Sequence, residues 1–273
     1  SNQRDFAAAA ETVGEHYRRA GEAGKAWKHL IVAAQRLSAR SLPNAAWDLC
    51  ESALEISDLA NAALPDEEWM ALRCTLQRVR TKLLNLRGEW KAAERASEEY
   101  LAIARERDDT ELIGEALILS SATKRHAGKA KVAETQLEEA RDIARNTSDW
   151  SLAGRALHHQ AALAWDDGDF ERVEQLAAEG LILCTDPSLA AERAKLLMTQ
   201  GTIRGFKGEL VRGTRSMEEA IELFQQLGMA GTLCVAQSNL AEFYVVQGQL
   251  AAALKVGNEA VVLARRLGHG RHG

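Results

Sequence analysis

The sequence predicts an all-α solenoid. Three observations carry this: a helix-favouring composition, a glycine that recurs every 40 residues, and apolar residues at three- and four-residue spacing on both sides of that glycine. The chain has 273 residues, 46% of them apolar and 27% charged, which is enough to bury a sizeable core. Alanine and leucine lead the apolar set, only three prolines occur and β-branched runs are scarce, so intrinsic preference favours helix and disfavours a β-rich fold. No apolar run approaches the roughly 18–20 residues that would span a bilayer, and no basic-then-apolar leader opens the chain; a cytoplasmic protein is expected. Ser1 and Asn2 without a methionine read as the scar of a cleaved tag, so a longer parent protein is expected too.

The net charge of −5 offers none of the basic surface that direct nucleic-acid binding needs. Cys50, Cys74, Cys184 and Cys234 are far apart and form no CxxC pair, so they read as buried thiols rather than a zinc site or a disulfide framework.

Gly88, Gly128, Gly168, Gly208 and Gly248 fall 40 residues apart without slippage. With glycine at about 7% of average sequence, the four coincidences have odds on the order of 10⁻⁵, so a true repeat is the better account. The same register carries small residues seven positions before the glycine (Thr81, Ser121, Ala161, Gly201, Ala241) and apolar ones fifteen after it (Ile103, Ile143, Leu183, Leu223, Leu263). Each period therefore reads as two helices joined at the glycine, which suits the left-handed residue that closes a helix. The small residues let the paired helices approach. Asp186 before Pro187 fits an N-cap with a first-turn proline, and Gly228 and Gly268, each after a leucine, fit helix ends.

The first third follows the same logic less regularly. Val13, Gly14, Tyr17, Gly21, Ala26, Leu30 and Ala33 have the spacing of one such hairpin, and a third helix is predicted from Asn44 to about Asp58 with Trp47, Cys50 and Ala53 on one stripe. Pro65 marks the join to the regular array. The prediction is about thirteen antiparallel helices, with an N-terminal helical segment over 1–62 and five 40-residue repeats over 63–273 in one continuous solenoid.

On these residues the chain resembles the tetratricopeptide-repeat superfamily, in the long-period form of about 40 residues found in the bacterial maltose regulator. Residues 11–57 look like the segment that follows the ATPase module in bacterial multidomain signalling proteins. The resemblance implies an α-α superhelix that acts as a non-catalytic, protein- or peptide-binding scaffold or sensory region. It also implies that an ATPase, kinase, cyclase or LuxR-type transcription regulator is attached. The alternative it implies is a small-molecule inducer sensor, with a pocket around His158, Trp165 and Met198. Gly213 departs from the pattern, standing where Ala93, Ala133 and Ala253 stand in other repeats, and predicts a weaker or displaced helix pair near 209–227.

In this family the groove-facing positions lie thirteen, ten, six and three residues before the turn glycine. Carried over, they select Thr75, Arg78, Lys82 and Asn85, then Arg125, then Arg155, His158 and Trp165, then Lys195, Met198 and Thr202. The set is basic with one aromatic, which favours an acidic or C-terminal peptide through charge-assisted hydrogen bonds. The competing explanation is a merely solvated helix face. The asparagine that a carboxylate clamp uses six residues before the turn is missing: Lys82, Ala122, Ala162, Thr202 and Glu242 hold that slot.

No catalytic, cofactor or metal site is predicted. His158 and His159 are adjacent on a helix and point to different faces. Asp166, Asp167 and Asp169 lack the remaining ligands of a calcium loop and read as a capped turn. Gly201, Gly205 and Gly208 have neither a preceding strand nor a following Gly-Lys-Ser/Thr. On the last helix, about Gln249 to Leu267, Leu254 and Val261 form one apolar stripe and Val256, Leu263 and Leu267 another. A bare solenoid end of this kind predicts homo-oligomerisation through the C-terminal helix, or cover by a further repeat.

Overall fold

The computed structural model describes residues 2–39 and 42–267, so Ser1 and Gly268 of the expectations above lie outside the described residues. The described residues are helical nearly throughout and divide into two compact units, Ser1–Lys129 and Ala130–Gly273. The division falls in the turn after α7, so each unit is taken by itself.

The first unit contains α1 (Asn2–Arg19), α2 (Ala23–Ala39), α3 (Pro43–Glu55), α4 (Ser57–Ala63), α5 (Asp66–Arg87), α6 (Trp90–Glu106) and α7 (Thr110–His126). The α1–α2 hairpin forms at the expected residues: Gly21 takes φ +77° at the turn, and a Cβ on Gly14 would meet Leu30 at 2.8 Å, so the small residue is what lets the helices touch. Ala26, Trp27, Leu30, Ile31 and Leu37 of α2 then bury against Leu49, Cys50 and Ala53 of α3 and Leu76 and Leu83 of α5. The Trp27 ring, fully enclosed, stacks on Trp69 at 4.2 Å. The sequence predicts thirteen helices; the additional one is α4, a seven-residue turn of helix that restarts after the kink at Ile56. The expected boundary at residues 62/63 falls at the end of α4. Pro65 sits at the N-cap of α5, where its missing N–H costs nothing.

The second unit contains α8 (Ala130–Thr147), α9 (Trp150–Asp166), α10 (Phe170–Leu183), α11 (Ala190–Phe206), α12 (Leu210–Gln226), α13 (Ala230–Val246) and α14 (Leu250–Arg266). Asp186 caps a short 3₁₀ turn, Pro187–Leu189, that leads into α11. All five period glycines have positive φ, between +72° and +85°, and Gly228 ends α12 at +66°. A residue with a Cβ is strained there by about 1–2 kcal/mol. The turns that separate one period from the next place Asp108 and Ser148 at φ +49° and +56°, with Asp109 and Asp149 capping the helices that follow.

Gly213 does not weaken its hairpin. The α12 helix is continuous, and a Cβ on Gly213 would stand 2.9 Å from both the carbonyl oxygen of Gly201 and the nitrogen of Gly205. Glycine is there because α11 and α12 cross backbone to backbone. Gly205 has a second use, since a Cβ on it would strike the Phe243 ring at 2.2 Å. The three glycines of this stretch are packing residues.

Candidate ligand-binding face of the first helices

Within the first unit the selected residues come from α5, with Arg125 on α7. Arg78 Nη1 donates to Glu115 Oε2 of α7 at 3.1 Å, Lys82 Nζ lies 3.7 Å from the other carboxylate oxygen, and the buried Tyr100 hydroxyl donates to Glu115 at 3.2 Å. Burial pushes the Tyr100 hydroxyl far above its ordinary range, with the Glu115 charge adding to it, so it stays protonated as the donor. Asn85 Nδ2 donates to Thr123 Oγ1 at 2.9 Å, and Thr75 spends its hydroxyl on the Ala71 carbonyl of its own helix. Arg125 is half-buried near the end of α7. Arg78 and Lys82 are thus met by a carboxylate of the same unit, Glu115. Glu115 stands thirteen residues before Gly128, at one of the very offsets that select Thr75, Arg155 and Lys195.

Within the second unit the corresponding face is built by α9 and α11. His158 and Thr199 join the helices at 3.1 Å, and Ser151 Oγ donates to Glu192 at 3.0 Å. The Thr199 hydroxyl also donates to the Lys195 carbonyl of its own helix at 3.0 Å. The residue thirteen before the turn glycine is a cation in both helices, Arg155 and Lys195, where the first unit has Thr75 and Glu115. Arg155 is half-buried with its Nε enclosed and lacking a hydrogen-bond partner. Burial lowers the Lys195 ammonium below its usual range. Glu192 partly restores it, and the nearby Arg155 charge lowers it again.

The remaining members of the set serve packing. Met198 lies against the core around Leu197, Met217 and Phe224, and Thr202 donates to the Met198 carbonyl of its own helix. Trp165 turns onto Phe170 and Phe206, at 5.4 and 5.5 Å between ring centres, and Phe170 and Phe206 are themselves 4.6 Å apart. His158 and Trp165 are therefore engaged in different clusters, which argues against one pocket enclosed by His158, Met198 and Trp165. The rings of His158 and His159 meet edge to face at 5.4 Å.

Two further signals in the sequence bear on this face. One is Glu115. The other is a glutamate eleven residues after the turn glycine in all five periods: Glu99, Glu139, Glu179, Glu219 and Glu259. Glu99 accepts from Arg73 and Gln77 at 2.7 Å, Glu219 from Arg193 at 3.1 Å, Glu259 from Gln237 at 3.3 Å, and Glu179 pairs with Arg141. In three of the periods this glutamate ties the second helix to the first of the same hairpin, which is cohesion rather than ligand chemistry.

The sequence matches no protein-family model and no curated protein. Its likeness to solved structures is one of shape. A Rap protein complexed with Competence and Sporulation Factor superposes with a TM-score of 0.65 at 12% identity, over 97% of this chain and 78% of that one. NprR in complex with its cognate peptide NprX gives 0.66 at 13% identity, over 88% and 67%. The signal-transduction ATPase with a tetratricopeptide repeat sensor from Pyrococcus horikoshii gives 0.60 at 14% identity, over 89% of this chain and 37% of that one. The chain shares the all-α fold of these structures.

Proposed function

We propose that this chain is a non-catalytic binding module, a cytoplasmic sensory or scaffolding region of a larger signalling protein. It would take an acidic protein segment on the shared face of α9 and α11. One observation carries this reading. Where the first unit supplies its own carboxylate, Glu115, to Arg78 and Lys82, the same register in the second unit holds Lys195. Lys195, desolvated by burial, lies near the half-buried Arg155, with Glu192 as its nearby counter-charge. A carboxylate from outside would play between them the part that Glu115 plays within the first unit. It would accept charge-assisted hydrogen bonds, the stronger kind, from a guanidinium whose Nε is still unmatched. His158 and Thr199, joined to each other, would border the site. The peptide held by NprR and the factor held by Rap, proteins of the same fold, support an extended ligand on such a surface. We assign the 63–273 array to this binding role and 1–62 to the segment that leads into it.

The test is a fluorescence-anisotropy titration of labelled ten-residue peptides, a glutamate- and aspartate-rich set against the same peptides with amides in place of the carboxylates. The acidic set should bind, the amide set should lose at least tenfold in affinity, and the double reversal Arg155→Glu/Lys195→Glu should abolish capture while helicity stays unchanged. Equal binding of both peptide sets, or capture that survives the reversal, rejects the assignment.

A further inference from the structure

Two hydrogen bonds between α9 and α11 frame the cations of the second unit. Ser151 Oγ donates to Glu192 at 3.0 Å and His158 meets Thr199 at 3.1 Å, and both bridges join residues 41 apart in sequence. Arg155 lies one helical turn after Ser151 on α9, and Lys195 one turn after Glu192 on α11, so both cations fall between the two bridges.

The Glu192 stem is fixed. A Cβ on Gly154 would stand 3.1 Å from Glu192 Cβ and 3.4 Å from its Cγ, so the missing side chain of Gly154 is what admits Glu192 against α9. Cys184 Sγ packs beside it, 2.6 Å from the same point. Only the carboxylate end is left to turn, and it has two candidates. One is the Ser151 hydroxyl. The other is the Lys195 ammonium, the ordinary partner of a glutamate three residues earlier on a helix.

The carboxylate takes the hydroxyl. Lys195 and Arg155 form no ion pair among the described residues, although the Glu192 charge is near enough to act on Lys195. The Ser151 bond can prevail because a hydroxyl donating to an ionised carboxylate is charge-assisted, whereas an ion pair three residues apart on a helix is weak. In the first unit the comparable carboxylate, Glu115, goes to the cations instead.

We infer that Ser151 is a positioning residue of this site: its hydroxyl holds the Glu192 carboxylate aside and keeps Lys195 open to a carboxylate from outside. This role rests on the acidic-segment reading above and adds to it the element that regulates the site. Released from Ser151, Glu192 becomes a built-in competitor for the cation that the ligand needs.

An NMR titration of isotope-labelled lysine side chains tests this without any ligand, the Lys195 signal being assigned by its loss in Lys195→Arg. Ser151→Ala should raise the Lys195 midpoint, because the freed carboxylate then stabilises the ammonium. Ser151→Thr, which keeps the hydroxyl, should hold the parent value. In a Glu192→Gln background Ser151→Ala should leave the midpoint where it is, since no carboxylate remains to be released. In the anisotropy titration Ser151→Ala should weaken acidic-peptide binding by about twofold or more, and Ser151→Thr should bind as the parent does. A Lys195 midpoint that stays put in Ser151→Ala overturns the inference. So does an equal rise in the Glu192→Gln background, which would mean that Ser151 acts through packing alone, or a raised midpoint with undiminished peptide affinity. Failure of the unaltered protein to bind either peptide set rejects the acidic-segment reading by itself, because the lysine titration still reads the tether.

Discussion

Glu115 of α7 reaches Arg78 of α5 at 3.1 Å, so a carboxylate one repeat along neutralises a half-buried guanidinium that would otherwise face outward. Removing it should have two effects at once. Glu115→Ala should destabilise the chain by about 1–3 kcal/mol, because Arg78 and the Tyr100 hydroxyl lose their acceptor. It should also give the first unit an open cation pair, Arg78 with Lys82, so that acidic peptides titrate to a higher stoichiometry than on the unaltered protein. Denaturant melts read the first effect and isothermal titration the second.

Lys195 illustrates the opposite situation, a cation held where burial disfavours its charge. Its folded pKa lies below the ordinary lysine value of 10.5. Between that lowered value and 10.5 the unfolded chain holds a proton that the folded chain has released, so stability rises with pH across that window. Below the lowered value both states are protonated and the destabilisation is present in full. Lys195→Met should therefore be more stable than the parent at pH 7, by about 0.5–1 kcal/mol, with the gap closing as pH climbs toward 10.5. The same variant should lose acidic-peptide binding. A gain in stability with a loss of capture is what a ligand-facing residue gives, and a packing residue would lose both.

The 40-residue glycine register was legible because it rests on a backbone requirement: a left-handed turn tolerates few residues, so the same residue returns at each turn. The helix ends at Pro65 and Asp186 were legible for the same reason. The disposition of charge was not, since whether Arg78 is open or satisfied depends on a residue 37 positions away. Apolar periodicity carries no information about such pairs, and the glutamates from Glu99 to Glu259 went unread because they are polar. Gly213 misled in another way: helix propensity alone marks it as a weak point, and only the crossing partner at Gly201 and Gly205 explains it.

Lys124 is 7% exposed and lies between Glu94 and Glu98, while Lys129 also reaches Glu94. Hydrogen bonds from Lys124 and then Lys129 hold the Glu94 carboxyl below its ordinary range. A carboxyl lowered on folding contributes stability that is present above its unfolded value, 4.5, and lost as the pH falls through the folded one. The melting temperature should therefore drop below pH 4.5, and Glu94→Gln should flatten part of that drop. Lys124→Ala should cost about 1–3 kcal/mol at neutral pH, because it removes the enclosed cation that Glu94 and the more exposed Glu98 share. A cost near zero would mean that water already screens this cluster.

Gly213→Ala sets two magnitudes against each other. In a helix interior the substitution gains about 1 kcal/mol of backbone preference, and it restores the alanine of the other repeats. At this site the new methyl would lie 2.9 Å from the Gly201 carbonyl oxygen and 2.9 Å from the Gly205 nitrogen, both backbone atoms that no rotamer change can move. Overpacking of this kind costs about 1–3 kcal/mol or forces the helices apart, so the net effect should be destabilising, with α11 and α12 displaced. Gly231→Ala is the control, since nothing lies within 4 Å of its missing Cβ and only the propensity gain remains. Chemical denaturation of the two variants should move the midpoints in opposite directions; a midpoint raised in both would mean that α11 and α12 do not approach as closely as the Gly201–Gly213 contact requires.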